Sequence, residues 1–354
     1  MNRYQPFFTS LFLIVFLSAC HTIESLSIDY MLPAEVSFPE SLKRVAVVNN
    51  MPARSMQNTE NADTCYYQGD ALIAIEALAE TLAAENYFEE VVVCDSALCT
   101  TDSCMQETTL SMEKSDLLIQ ELDVDFLIAL EELPIQVIRE IKYIPEIKLF
   151  QGTTDAKTFP VVKVYLPHRK APMVTVCCND SIFWKENFFT QNYTRNRLIG
   201  EEEVIKQASD FAGTLPVKHL LPTWNTASRY LFSGGSVNMR DAIVCAREGD
   251  WEQAIRLWEP IFHKKKGKQK MYAAYNIALG YEMQDSISTA YEWAVEAQKI
   301  AKQIDKVDDM NINQRVNSYY APNYVMTNIY VAELKKRLEG LARLNMQMNR
   351  FIEE

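Results

Sequence analysis

A repeat with a fixed period of 36 residues constrains the second half of the chain more than any other feature. Three positions recur at the same offset: Ala242 and Ala278, Ala254 and Ala290, and Trp258 and Ala294. A constant offset of this length is typical of a supersecondary unit that stacks on its own copies. The spacing of small and apolar residues predicts two helix hairpins, at about 238–262 and 270–301.

The hairpin resembles the tetratricopeptide repeat (TPR), whose period is about 34 residues. In the second copy, small and aromatic residues fall on the positions typical of that family: Ala278, Tyr281, Ala290 and Ala297. The first copy departs from the pattern, with Asp241 and Cys245 where leucine and tyrosine are typical. Two copies are fewer than the roughly three that bury a stable stack, so capping helices are expected at 195–221 and 323–349.

The resemblance implies a concave face formed by the first helix of each hairpin. Alignment on Ala278 puts Tyr272, Tyr275 and Asn276 on that face as exposed residues, with Arg240 at the position equivalent to Asn276. Aromatic rings, an amide and a guanidinium suit an extended peptide with a carboxylate. These four residues are therefore predicted to bind a partner, and the alternative is that the tyrosines pack against the preceding hairpin.

The first half of the chain predicts an α/β domain over residues 41–195. Apolar and β-branched runs predict strands at 44–50, 90–94 and 125–130, and helical spacing predicts helices at 70–86 and 113–122. Alternating apolar strands and helices predict a parallel core, and later strands without helices predict an antiparallel portion of a mixed sheet. With a helical domain over 196–354, the whole chain is predicted to be α+β.

Motifs for enzyme chemistry are absent from the sequence. No glycine lies between the first strand and Gly69, so nucleotide-binding fingerprints are missing, and the stretch Asn49–Tyr67 is either a recognition loop or a mobile surface loop. Glu131 and Glu132 form the best acid pair, but neighbouring residues of a strand point to opposite faces. We therefore expect no cofactor and no catalytic activity.

The N-terminus predicts an exported lipoprotein. An apolar run at 7–17, about half of the roughly 20 residues needed to cross a bilayer, precedes Ser18, Ala19 and Cys20. This order is similar to the lipobox of bacterial lipoproteins, so residues 1–20 are predicted to be a signal peptide and Cys20 to carry the lipid. Residues 21–40 are predicted to be an extended linker, and the expected location is the periplasmic face of the outer membrane.

Charge and cysteine content narrow the classes of partner. The net charge of −12 disfavours nucleic-acid binding, which needs clustered lysine and arginine. Cys94, Cys99 and Cys104 are evenly spaced in a polar stretch. Disulfides among them and Cys65, or free thiols, are favoured over a metal site in an oxidising compartment. We therefore expect neither a metal nor a nucleic acid as a partner.

Longer segments also resemble a family of uncharacterised Gram-negative, Bacteroidetes-type lipoproteins with TPR-like C-termini. The resemblance rests on these segments: Leu32-Pro33-Ala34-Glu35-Val36, Ala212-Gly213, Leu221-Pro222-Thr223-Trp224, Arg229-Tyr230, Gly249-Asp250-Trp251 and Ala273-Ala274-Tyr275-Asn276-Ile277-Ala278. It covers most of the chain after Cys20 and implies no activity.

These observations predict a non-enzymatic interaction or scaffold lipoprotein that holds an envelope protein or peptide through its repeats. A glycan or small ligand bound by the α/β domain is the first alternative, and a hydrolase without a recognised motif is the second.

Overall fold

A computed structural model describes residues 23–52, 64–94, 98, 109–309 and 316–351 of the protein. Two compact units result. Of the described residues, the α/β unit comprises Ala34–Pro222 and Gln347–Phe351, and the helical unit comprises Ile23–Pro33 and Thr223–Met346. The predicted α+β class is confirmed, because strands predominate in residues 23–232 and helices in residues 237–351.

The strands of the described residues are β1 (Ile23–Leu32), β2 (Arg44–Asn49), β3 (Thr64–Gln68), β4 (Glu90–Cys94), β5 (Phe126–Glu132), β6 (Pro134–Ile144), β7 (Leu149–Thr158), β8 (Val161–Tyr165), β9 (Val174–Cys177), β10 (Asp180–Phe188) and β11 (Thr223–Phe232). The helices are α1 (Ala71–Ala84), α2 (Met112–Glu121), α3 (Gln191–Arg197), α4 (Glu201–Thr214), α5 (Val217–Leu220), α6 (Val237–Arg247), α7 (Trp251–Lys264), α8 (Gly267–Glu282), α9 (Ile287–Ile304) and α10 (Pro322–Met348).

A five-stranded mixed sheet forms the core of the α/β unit, with strand order β4-β2-β5-β8-β9. Strands β4, β2 and β5 are parallel, and β8 and β9 extend the sheet antiparallel, as predicted. Val45 and Val47 pack towards α1, whereas Ala46 and Val48 pack in a second cluster with Ile119 of α2. Both faces of the parallel strands are covered, which explains their continuous apolar sequence.

A second, antiparallel sheet has the order β10-β7-β6-β3. One face is buried beneath α4, whose Val204 and Ala208 pack with Val137 and Ala156. The other face carries polar residues with a few exposed apolar ones, including Ile138 and Phe183. Strands β3 and β6 were not predicted, because alternating polar residues dilute their apolar pattern.

Helix α4 belongs to the α/β unit, which corrects both the predicted boundary at residue 195 and the predicted capping role of residues 195–221. Its C-terminal half packs against α1. A Cβ atom at Gly213 would lie 2.3 Å from the carbonyl oxygen of Ala74, so only glycine permits this approach. The amphipathic pattern of α4 predicted a helix correctly, but it does not reveal which neighbour the apolar face contacts.

An extended linker was predicted for residues 21–40, but the described part, residues 23–40, belongs to the folded units. From Ile23 onwards these residues form β1, which pairs antiparallel with β11 over the full length of both strands in a two-stranded ribbon. Beyond β1, Val36 and Phe38 are buried in the core of the α/β unit. Buried and exposed residues alternate along the middle of β1, so this extended segment has one buried face.

The helical unit contains two consecutive hairpins, α6–α7 and α8–α9. All six repeat positions are fully buried: Ala242, Ala254, Trp258, Ala278, Ala290 and Ala294. A Cβ atom at Gly280 would lie 2.7 Å from Cγ1 of Ile255, so α7 and α8 are in close contact. Helix α10 contributes Tyr330 and Leu334 to the apolar cluster of α8 and α9.

Candidate functional site

The four residues predicted to bind a partner do not form an exposed surface. Tyr275 is 2% exposed, Asn276 is fully buried, and Tyr272 is half-buried, whereas Arg240 is exposed. The predicted exposure of Tyr275 and Asn276 is therefore wrong. The partner-binding role itself stays a prediction, but Tyr275 and Asn276 are not accessible to a partner on this surface.

The chain's own strand β11 covers this face of α8. The Asn276 side-chain amide donates to the Phe232 carbonyl oxygen at 2.8 Å, and the Phe232 N–H donates to Asn276 Oδ1 at 3.0 Å. The Tyr272 ring stacks on the Phe232 ring with centroids 4.0 Å apart, and Tyr275 meets the same ring edge-on at 5.3 Å. An amide and two aromatic rings thus bind an extended backbone, but that backbone belongs to the same chain.

A buried charge cluster, which the sequence did not predict, lies next to this contact. The Arg229 guanidinium donates to both oxygens of Glu282, each at 3.0 Å, and also to Glu333. Glu282 accepts two further hydrogen bonds, from Arg337 and from the Tyr330 hydroxyl at 2.8 Å. Arg229 and Glu282 are 3% and 2% exposed, so water does not screen the pair.

The charges in this cluster balance, with two guanidiniums opposite two carboxylates. Burial opposes the charge of Arg229, but the hydrogen bonds and charge of Glu282 raise the pKa of Arg229 above its usual range. Burial also raises the pKa of Tyr330, and the charge of Glu282 adds to that effect. Arg229 lies on β11, Glu282 ends α8 and Arg337 lies on α10, so the cluster fixes the ribbon to two helices.

A second polar cluster lies at the carboxyl ends of the parallel strands in the α/β unit. From β2 the chain passes through α1 to β4 on one side, and it then passes through α2 to β5 on the other side. The carboxyl end of β2 is therefore the topological switch point, where open α/β sheets bind their ligands. Asn49 ends β2, Asn50 follows it, and Glu131 lies near the end of β5.

Glu131 is the centre of this cluster and is 4% exposed. The Tyr165 hydroxyl donates to Glu131 Oε1 at 2.6 Å, and the Asn50 amide donates to Oε2 at 2.8 Å. Lys163 Nζ lies 4.0 Å from Oε2. The pairing of β5 with β8 is irregular between Leu130 and Glu132, and such a bulge re-aims the side chain between them.

Burial raises the pKa of Glu131, while the hydrogen bonds from Tyr165 and Asn50 and the charge of Lys163 oppose that rise. Burial and the hydrogen bond to Glu131 also raise the pKa of Tyr165. Glu132 is exposed whereas Glu131 is buried, so the two adjacent acids lie in different surroundings. The cluster therefore offers one buried carboxyl group that can bind as an acceptor or, when protonated, as a donor.

The described residues contain no group of three or more histidine, cysteine, aspartate or glutamate side chains that could hold a metal ion. Cys65 and Cys94 carry free thiols, whereas Cys99 and Cys104 lie outside the described residues. The predicted lipidation site Cys20, the predicted signal peptide 1–20 and residues 53–63 of the predicted recognition loop also lie outside them. Within the described ranges, no helix has the length and apolarity needed to cross a bilayer.

The fold and its two polar clusters define a protein with a mixed-sheet α/β unit and a helical unit that binds its own N-terminal ribbon. Residues 42–232, which are 191 of 354, match the family model described as Domain of unknown function (DUF8603). The chain therefore belongs to that family. Residues 240–336 match a second model, described as Domain of unknown function (DUF6340). None of the curated proteins compared with the chain matches it.

Proposed function

We propose that the protein is a non-enzymatic interaction protein of the cell envelope, held at the membrane by a lipid on Cys20. In this proposal the helical unit is a TPR-like brace that presents the β1–β11 ribbon to a partner protein. The observation that carries the proposal is the pairing of Asn276 with the backbone of Phe232. It gives the helices a bound strand and leaves the outer face of that strand open.

Two features support the TPR-like interpretation. The six buried repeat positions lie in consecutive hairpins at a period of 36 residues, close to the roughly 34 of the TPR. The first helix of the second hairpin, α8, contacts an extended segment through an amide and aromatic rings. The same groups suit the binding of an extended peptide in a repeat groove. Because that segment is the chain's own, the partner surface lies on the ribbon and not in the groove.

The outer face of the ribbon carries the residues best suited to such a surface. Trp224 is 67% exposed and Tyr230 is 47% exposed, and both point away from the buried Arg229 side of β11. Ile23 is 44% exposed near the Tyr230 end of the paired strands. Tryptophan and tyrosine are enriched at the centres of protein interfaces, where they contribute large contact areas.

The test uses a photo-crosslinking residue at position 224 in cells of the native host. We expect a discrete crosslinked product that disappears when Tyr230 is changed to alanine. The same probe at Ile329, an exposed apolar residue of α10, is the matched control. Equal crosslinking from positions 224 and 329, or none from position 224, would contradict the ribbon as the partner surface.

The lipid anchor has its own test, which is independent of the ribbon. Cys20→Ala should move the protein from the membrane fraction to the soluble fraction, because several acyl chains contribute about 0.8 kcal/mol per buried CH₂. Fractionation of cells and immunoblotting measure the change. Retention of an exported Cys20→Ala variant in the membrane fraction would show that another feature holds the protein there.

A second candidate function is the binding of a glycan or another small polar ligand at the switch-point cluster. The specific observation that favours it is a buried carboxyl group, Glu131, at the sheet position where α/β folds bind ligands. A thermal-shift screen of sugars and small acids would compare the wild type with Glu131→Gln. Ligands that stabilise both proteins equally do not bind at this cluster.

A further inference from the structure

A row of aromatic side chains crosses one end of the antiparallel sheet. Tyr143, Phe150 and Phe188 are register partners on β6, β7 and β10. The rings of Tyr143 and Phe150 lie 5.2 Å apart, and the Phe188 ring meets that of Tyr193 on α3 edge-on at 4.8 Å. These two ring pairs come from four elements and are adjacent because Phe150 and Phe188 are register partners, and we call the four residues the aromatic tip.

Apolar residues beside this row extend the tip into solvent. Ile147 is 50% exposed in the four-residue turn between β6 and β7, where polar residues are usual. Phe189 is 84% exposed directly after β10, and Tyr143 and Tyr193 are each about half exposed. Exposed apolar side chains grouped at one end of a sheet are typical of interaction sites.

The charge around the aromatic tip is opposite in sign to that of the whole chain. Residues 140–150 and 185–197 contain five cations and three acids, which gives a net charge of +2 in a chain of net −12. The cations are Lys142, Lys148, Lys185, Arg195 and Arg197, and the acids are Glu140, Glu146 and Glu186. By the strand register Lys142, Lys185 and Glu140 lie on the opposite face of the sheet, with Ile138 and Phe183, so three cations and two acids remain on the side of the rings. The guanidinium of Arg197 lies 5.2 Å from the centroid of the Tyr193 ring, so one cation is in direct contact with an aromatic residue of the tip.

We propose that the aromatic tip docks on an anionic lipid bilayer. Tyrosine and phenylalanine rings rimmed by lysine and arginine match the membrane interface, where rings lie at headgroup level and cations contact phosphates. The positive charge of the tip complements anionic headgroups, whereas the remainder of the chain is acidic and is repelled by them. The tip needs neither the lipid on Cys20 nor the ribbon surface, so this inference is independent of the proposed function.

The experiment measures sedimentation of the full chain carrying Cys20→Ala with lipid vesicles, so that no acyl anchor contributes. Vesicles of phosphatidylcholine alone are compared with vesicles containing phosphatidylglycerol, at low and at high salt. We expect binding to the anionic vesicles that salt weakens. Phe189→Ser should reduce that binding about tenfold, and each reversal at Arg195 or Arg197 should reduce it by roughly fivefold or more.

The matched control is Phe183→Ser. Phe183 is 71% exposed on the same strand, β10, but it lies in the row of Ile138 and Asp155 on the opposite face of the sheet from Phe188. The Phe183→Ser substitution removes the same aromatic group but leaves the aromatic tip intact. The variant should therefore bind vesicles as strongly as the Cys20→Ala protein without a further change.

Three results would overturn the proposal. These are the absence of binding to anionic vesicles, an equal loss with Phe183→Ser and Phe189→Ser, and binding that does not depend on the anionic lipid. Analytical ultracentrifugation without vesicles provides a further arm. A dimer that Phe189→Ser dissociates would identify the tip as a contact between copies and not as a lipid-binding surface.

Discussion

Glu282 in the helical unit and Glu131 in the α/β unit are both buried and both accept a hydrogen bond from a tyrosine, but their surroundings differ. Glu282 is bound directly by two guanidiniums, one of them through both carboxylate oxygens. Among the described residues, Lys163 Nζ lies 4.0 Å from Glu131 Oε2, and the hydrogen-bond donors to Glu131 are the neutral side chains of Tyr165 and Asn50.

The two carboxyl groups therefore differ in how fully cationic partners compensate their buried charge. This difference separates a structural cluster, at Glu282, from a candidate site, at Glu131. A buried carboxylate with full ionic partners is fixed in one state, and removing a partner is costly. A buried carboxyl group with mostly neutral partners has a raised pKa and can change its protonation or its partners. The positions agree with this division, because Glu282 contacts the ribbon whereas Glu131 lies at the switch point of the sheet.

Arg229→Ala should have the largest effect on stability. It leaves Glu282 buried with only Arg337 and Tyr330 as partners, and breaking a buried pair in this way costs about 3–5 kcal/mol. Urea unfolding followed by helical circular dichroism measures the change. Arg256→Ala, which removes an exposed pair with Glu252, is the control and should cost less than about 0.5 kcal/mol. Similar costs for the two variants would contradict a stabilising role for the cluster.

The two tyrosines test the comparison directly. Tyr165→Phe removes a donor to Glu131 and also the acceptor of the Leu110 N–H, so it should cost about 1.5–3 kcal/mol. Tyr330→Phe should cost about 0.5–1.5 kcal/mol, because Glu282 keeps its arginine partners. Urea unfolding measures the free energy of unfolding of both variants. A larger loss for Tyr330→Phe than for Tyr165→Phe would mean that the charge of Glu282 is the less well compensated of the two.

The pH dependence of Glu131→Gln gives a finer test. A carboxyl group whose pKa is raised in the folded state contributes stability below its unfolded pKa of about 4.3, and it loses that contribution as the pH rises through the folded value. The wild type should therefore lose stability relative to Glu131→Gln as the pH rises from about 4, by about 1.4 kcal/mol for each pKa unit of elevation. Unfolding is measured across the pH range, with the exposed Glu132→Gln as control. A difference that is constant with pH would show that burial does not raise this pKa.

Arg240→Glu should have the smallest effect. Arg240 is exposed on α6, so reversal of its charge should change stability by less than about 0.5 kcal/mol, unlike the change at buried Arg229. Thermal unfolding measures this, and capture of envelope partners by the folded variant tests the predicted role of Arg240. Loss of a partner from the folded variant would restore the interpretation in which Arg240 lines a binding surface.

Several features of the fold were predictable because their signals are local. The run 44–50 predicted β2, and the 36-residue offset identified positions that are all buried. Each of these signals is a period along one segment of the chain: two residues for a strand, about 3.6 for a helix and 36 for the repeat.

The candidate sites could be predicted only in part. Glu131 stood out as an acid after an apolar strand, but Tyr165 reaches it from 34 positions away, and the bulge that re-aims it has no clear sequence signal. A signal for the charge cluster was present and was missed. Alternation along Thr223–Phe232 puts Arg229 on the same face as buried Leu231, and a charge on a buried strand face requires a partner.

The sequence by itself determined the division into a strand-rich and a helical half, the parallel core and the helical repeat, because periodic apolar spacing decides which face of each element is buried. Only the tertiary structure decided that β1 pairs with β11 about 200 positions away, that β11 covers Asn276, and that α4 belongs to the α/β unit. Amphipathic spacing specifies that a face must be covered, but the neighbour that covers it depends on shape and charge complementarity between segments far apart in the chain.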